Sequence, residues 1–225
     1  MTDQIVQSER KPRRRNVQER GDVTKGKLLN AATLLFTELG YDGVTVRDIE
    51  SKANMQRGLV KYHFGTKEDM YKAVVEDTLG RLYEYRKARK DTERDLSPRE
   101  RLSFRIRTFV RYSAERPELN RLMAQEGKHD SWRLRYILDK FLRQMVLDLK
   151  DLTSAHLKLS SAEFCHWYYI YIGAGAFMFS MAPEAQKLFG VDVTSEEIVD
   201  RHAQMVADLL LTKLENGSSG GERHD

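Results

Sequence analysis

Apolar side chains recur along this chain at helical spacing. Leu28, Ala32, Leu35, Phe36 and Leu39 fall at i, i+4, i+7, i+8 and i+11, so they share one helical face. Asp22 stands where a cap belongs and Gly40 stops the pattern. A second stripe starts at Val46, Ile49 and Ala53, with Thr45 placed as its N-cap and Asp48 three residues on, in a capping-box position. Asn54 and Met55 turn the chain, and a short third helix is predicted over about Gln56 to Phe64. Gly65 and Thr66 break it. Thr66 then caps a longer helix to about Arg89, with Met70, Val74, Leu79 and Leu82 as its stripe.

Helical signals continue to the C-terminus. Ser97 followed by Pro98 reads as a cap and first-turn proline, leading into Leu102, Phe104, Ile106, Phe109 and Val110. A short helix over about 118–127 ends at Gly127, and a long one runs from Ser131 to about His156. Ser160 and Ser161 start an apolar helix, and Pro183 and Gly190 read as a loop. Ser195 opens a last helix with two rows, Ile198-His202-Met205-Leu209 and Val199-Val206-Leu210. No strand pattern competes, so the predicted class is all-α, a small N-terminal helical domain joined to a larger helical one.

Charge changes the picture at one end. Residues 1–67 hold 13 Lys and Arg against 8 Asp and Glu, whereas the other 158 hold 25 against 26. A basic N-terminal third suits a polyanion; it also suits a solvated surface, and charge alone does not separate the two. Residues 1–21, with KPRRR at 11–15, read as a disordered basic arm. A single cysteine, Cys165, excludes an internal disulfide and argues against a secreted disulfide scaffold. The first residues have no apolar run of the signal-peptide kind.

Phe164 to Ala182 is a 19-residue run without Asp, Glu, Lys or Arg, which reaches membrane-spanning length. His166, three Tyr and one Trp spread through its first half, where interfacial belts would put them at the ends. A buried helix in a soluble protein is the better reading. The histidines show no metal-ligand spacing. No phosphate loop or nucleophile elbow appears, so neither catalytic nor metal residues are assigned and no cofactor is expected.

Three short helices within 22–64, the last two joined by a tight turn, form a helix-turn-helix layout. Val60 and Phe64, at i and i+4, are the anchors of the third helix. Lys61, Tyr62 and His63 must then point elsewhere, and Gln56 and Arg57 lie at the exposed N-terminal end. Gly58 lets a DNA backbone or base edge approach closely.

From Gly40-Tyr41 through Thr45-Val46-Arg47-Asp48-Ile49 to Gly58-Leu59-Val60-Lys61-Tyr62-His63-Phe64-Gly65-Thr66-Lys67, the chain resembles the N-terminal domain of the TetR family of transcriptional regulators. The likeness covers about residues 22–82. It departs at Lys61, where a tyrosine is common, and at Gly65. The resemblance implies that Thr45 and Lys67 bind phosphates, that Gln56, Arg57 and Leu59 face the groove, and that Tyr62 and His63 touch the backbone. Arg57 reads a guanine or binds a phosphate, and Leu59 has only apolar contacts to offer. The basic arm enters a minor groove, adds nonspecific affinity, or only solubilises.

The same resemblance implies a cytoplasmic homodimer on a palindromic double-stranded operator, paired through about 161–181 and 195–214. Both segments are apolar on more than one face, and Gly173, Ala174, Gly175 and Ala176 permit close helix approach. It further implies an effector cavity within about 100–180. Trp132, Tyr136, Trp167 and Tyr171 are candidate linings for an apolar or aromatic molecule, with Glu126 as a polar anchor beside His129 and Arg133; aromatics at helical spacing are more often simply core. The implied function is a ligand-released repressor. The alternative is a ligand-independent architectural or partner-binding protein of the same fold.

Overall fold

A computed structural model of the chain describes residues 13–89 and 91–212. Among them every regular element is helical. The chain divides into two compact units, Met1–Glu76 and Asp77–Asp225.

The first unit contains α1 (Arg13–Leu39), α2 (Val46–Lys52), α3 (Leu59–Phe64) and the start of α4 (Lys67–Lys87). Leu28, Ala32, Phe36, Ile49, Val60, Met70 and Val74 are fully buried, so the sequence stripes converge on one small core. Tyr71 packs edge-on against both Phe36 and Tyr41, with ring centroids 5.3 and 5.2 Å away. These rings let four helical segments share a core that aliphatic residues alone would leave thin.

Two boundaries differ from the sequence reading. α1 begins at Arg13, so Asp22 lies inside a helix and residues 13–21 are helical, where a disordered arm was expected. Polarity does not break a helix. Between Arg13 and Leu39 there is no proline, and Gly21 and Gly26 cost only about 1 kcal/mol each. The rest of the arm, 1–12, lies outside the described residues, and so do residues 216–225, a Gly- and Ser-rich stretch whose composition predicts a flexible tail. α3 is also shorter than expected. It starts at Leu59, which leaves Gln56 and Arg57 in the preceding turn.

The second unit is built around α5 (Pro98–Glu115), which packs on α8 (Arg143–Leu157), α9 (Ser161–Ser180) and α11 (Glu196–Leu211). Its core includes Ile106, Val110, Trp167, Phe179, Ala203, Val206 and Leu210. Helix starts are defined by reciprocal capping. Ser97 and Glu100 close a box at α5, with Pro98 in the first turn, and Ser160 and Glu163 close one at α9. α6 (Pro117–Glu126) ends at Gly127, as its sequence signals require.

The long helix expected from Ser131 is interrupted. α7 (Trp132–Ile137) passes into a π-helical turn, Leu138–Leu142, before α8 begins. Pro183 and Gly190 do not mark a loop; they bound α10 (Ala182–Phe189). A proline in the first turn costs no hydrogen bond, because that amide has no partner inside the helix. Gly190 ends α10 at φ 67°. No helix is long and apolar enough to cross a membrane among the described residues.

Candidate nucleic-acid interface

The start of α2 is held by Thr45 and Asp48. The Thr45 amide and hydroxyl donate to Asp48 Oδ2 at 2.8 and 2.6 Å, and the Asp48 amide returns a bond to Thr45 Oγ1 at 3.2 Å. Those bonds, hydroxyl first, hold the Asp48 carboxyl below its ordinary value, and the Lys67 charge adds to the effect. Both donors of Thr45 are therefore turned toward Asp48. Thr66 and Asp69 repeat the arrangement at the start of α4, and Lys67 follows directly. The Lys67 ammonium lies 4.1 Å from the centre of the Tyr41 ring, a cation–π distance that fixes its direction.

The turn before α3 is shaped by two residues in left-handed conformation, Asn54 at φ 54° and Gly58 at φ 92°. Gly58 is thus required by the chain's own path. A Cβ there would meet nothing within 4 Å, so the position is also open, as close approach to a partner demands. Gln56, Arg57 and Gly58 are all exposed.

α3 sits on the unit through Val60, which is fully buried, and packs on α2. Phe64, expected as a second core anchor, is only half-buried, and the Lys25 ammonium lies 5.6 Å from its ring centre. Leu59 and His63 are half-buried, Lys61 is exposed, and Tyr62 is 80% exposed. Tyr62 meets His63 edge-on at 4.9 Å. One face of the unit therefore gathers cationic, aromatic and hydrogen-bonding groups on a short helix and its leading turn.

One residue of this assembly escaped the sequence reading. Glu50, on α2, is 3% exposed. Its Oε1 accepts the amides of Gly58 at 2.9 Å and Val60 at 3.0 Å. The signal was present. Val46, Ile49, Glu50 and Ala53 complete an i, i+3, i+4, i+7 face, and an acid at an inward position needs internal donors.

The effector candidates are distributed differently. Trp167 and Tyr171 stack on each other at 5.4 Å within the core of the second unit. The Trp167 indole donates to the Leu210 carbonyl, and burial pushes the Tyr171 hydroxyl well above its ordinary value. Glu126 is buried and pairs with Arg133 at 2.8 Å, so these two anchors satisfy each other. Trp132 and Tyr136 are half-buried. None of the five lines the cleft of about 440 Å³ whose walls include Arg111, Glu115, Glu196 and Asp200.

Residues 28–74 match the family model for bacterial regulatory proteins of the tetR family. Curated relatives match over part of the chain. The biofilm operon negative transcriptional regulator IcaR of Staphylococcus epidermidis is 40% identical over 53 residues, 24% of this chain and 29% of that protein. The transcriptional repressor AcnR of Corynebacterium glutamicum is 34% identical over 61 residues, 27% of this chain and 32% of that protein. The chain thus spans about a third of the length of these relatives. Solved structures extend the likeness of fold. A TetR-like transcriptional regulator from Rhodococcus sp. RHA1 matches with TM-score 0.61 at 17% identity, covering 84% of this chain and 93% of that one. The regulator FadR of Bacillus subtilis, solved with stearoyl-CoA, matches with TM-score 0.59 at 16% identity, covering 84% and 98%.

Proposed function

We infer that the chain is a sequence-specific DNA-binding regulator of transcription of the TetR family, to whose model its residues 28–74 are similar. The observation that carries this reading is α3. It is seated by Val60, and it turns Lys61 and Tyr62 outward behind the exposed turn of Gln56 and Arg57. In a major groove this arrangement sets Gln56, Arg57 and Leu59 toward base edges, with Arg57 able to grip a guanine bidentately. Lys61, Tyr62 and His63 reach the flanking phosphates. Thr45 has its donors held by Asp48, so the phosphate beside α2 falls chiefly to Lys67.

The regulator acts as a homodimer and as a repressor released by a small apolar or aromatic molecule. Support for pairing comes from apolar side chains left on the outer faces of two helices. Tyr169, Ile170 and Phe177 of α9 and Met205 and Leu209 of α11 are each more than half exposed. Support for an effector comes from the half-buried Trp132 and Tyr136 and from the acyl-CoA held by the Bacillus subtilis neighbour. Effector binding favours a dimer whose two recognition helices no longer match successive major grooves.

Titrating duplex DNA at several salt concentrations tests the interface. Lys67→Ala is expected to weaken binding to every duplex and to lower the slope of log affinity against log salt by about 1, one phosphate contact's worth. An unchanged slope would count against it.

A further inference from the structure

We propose that Glu50 is a positioning residue that sets sequence discrimination by holding the turn that presents Gln56 and Arg57. This rests on the reading of α3 as the recognition helix.

The turn is tied to Glu50 at both ends. The Glu50 main-chain carbonyl accepts the Met55 amide at 2.8 Å. Its side-chain Oε1 accepts the amides of Gly58 and Val60 at 2.9 and 3.0 Å. Residues 55 to 58 are thereby strung between two oxygens of one residue. α3 also needs such a partner. Its N-cap is Gly58, which has no side chain to offer and makes no cap bond. The first amides of a helix have no acceptor within the helix. Glu50 supplies that acceptor from the neighbouring helix.

Burial makes the arrangement consequential. Glu50 is 3% exposed and Val60 is fully buried, so removing the carboxylate leaves a buried amide without an acceptor and without access to water. Left-handed Asn54 and Gly58 bracket the turn. Without its tether the turn samples other paths, and the two side chains it carries lose a fixed aim at base edges. Groups that contact phosphates, such as Lys61 and Lys67, lie outside the tethered segment. The consequence is selective: contacts that read sequence depend on Glu50, and contacts that supply charge do not.

The test uses the full chain and a duplex selected by the wild type from a random-sequence pool, with a scrambled duplex of equal length. Glu50→Ala is expected to lower the ratio of selected to scrambled affinity about tenfold or more, while affinity for the scrambled duplex stays within about twofold. Amide exchange at Gly58 and Val60 should quicken in the same variant. A purely structural role would lower the melting temperature yet leave the ratio intact in the folded protein. A folded Glu50→Ala with wild-type discrimination would overturn the proposal. Should that variant not fold, Glu50→Gln is read the same way. It keeps one oxygen without the charge, and a loss of discrimination of about threefold is expected; an unchanged ratio would overturn the proposal. If the wild type selects no duplex at all, it is the DNA-binding reading that fails, and Glu50 returns to being a cap.

Discussion

Gly58 illustrates how one residue meets two demands. The sequence reading assigned it to close approach of DNA, and a Cβ there would meet nothing within 4 Å. Its φ of 92° adds a reason internal to the chain. Residues with a Cβ resist left-handed backbone, so Gly58→Ala is expected to destabilise the protein by about 1–2 kcal/mol. Denaturant unfolding measures this, and an alanine variant as stable as wild type would show that the turn can take another path. Glu50 is the complementary case. Its inward position was readable from the stripe of Val46, Ile49 and Ala53, yet an acidic residue invites assignment to solvent. Which amides it would find could not be read from the sequence, because its partners lie eight and ten residues away.

Elements were readable wherever a local rule fixes both ends. Ser97 with Pro98, Ser160 with Ser161, and Gly127 each marked a boundary that the structure keeps, because a cap is a contact between near neighbours. The early start of α1, set by the absence of a breaker, was missed, and so was α10, whose Pro183 and Gly190 were read as a loop. Packing between elements was also beyond reach. Gly175 was read among small residues that let two copies approach, but it is buried within its own unit. A Cβ there would lie 2.8 Å from Phe109 Cε1, and the Phe109 ring meets Tyr171 at 4.5 Å, tilted by 35°. Gly175→Ala is therefore expected to destabilise the second unit by about 1–3 kcal/mol through overpacking of α5 against α9. Thermal unfolding of the variant checks this, and Gly173→Ala is the control, since a Cβ there meets nothing within 4 Å.

For the whole molecule, α11 divides its two rows. Val199, Val206 and Leu210 enter the core, while Met205 and Leu209 face outward, in keeping with Tyr169, Ile170 and Phe177 on α9. A core row and an outward apolar row on the same helix are what a helical interface between copies requires. Two copies related by a two-fold axis would bring two α3 helices to one duplex, and a symmetric reader imposes symmetry on its site. The effector side was the least readable part, since an aromatic at helical spacing looks alike in a core and in a cavity wall. Trp167 and Tyr171 fell to the core. The most direct test of the central claim is selection of duplexes from a random pool by the full-length chain, followed by sequencing. The expected result is an inverted repeat whose half-sites lie about one helical turn apart, or a multiple of it. Absence of any enriched motif, or enrichment of a single asymmetric site, would contradict it.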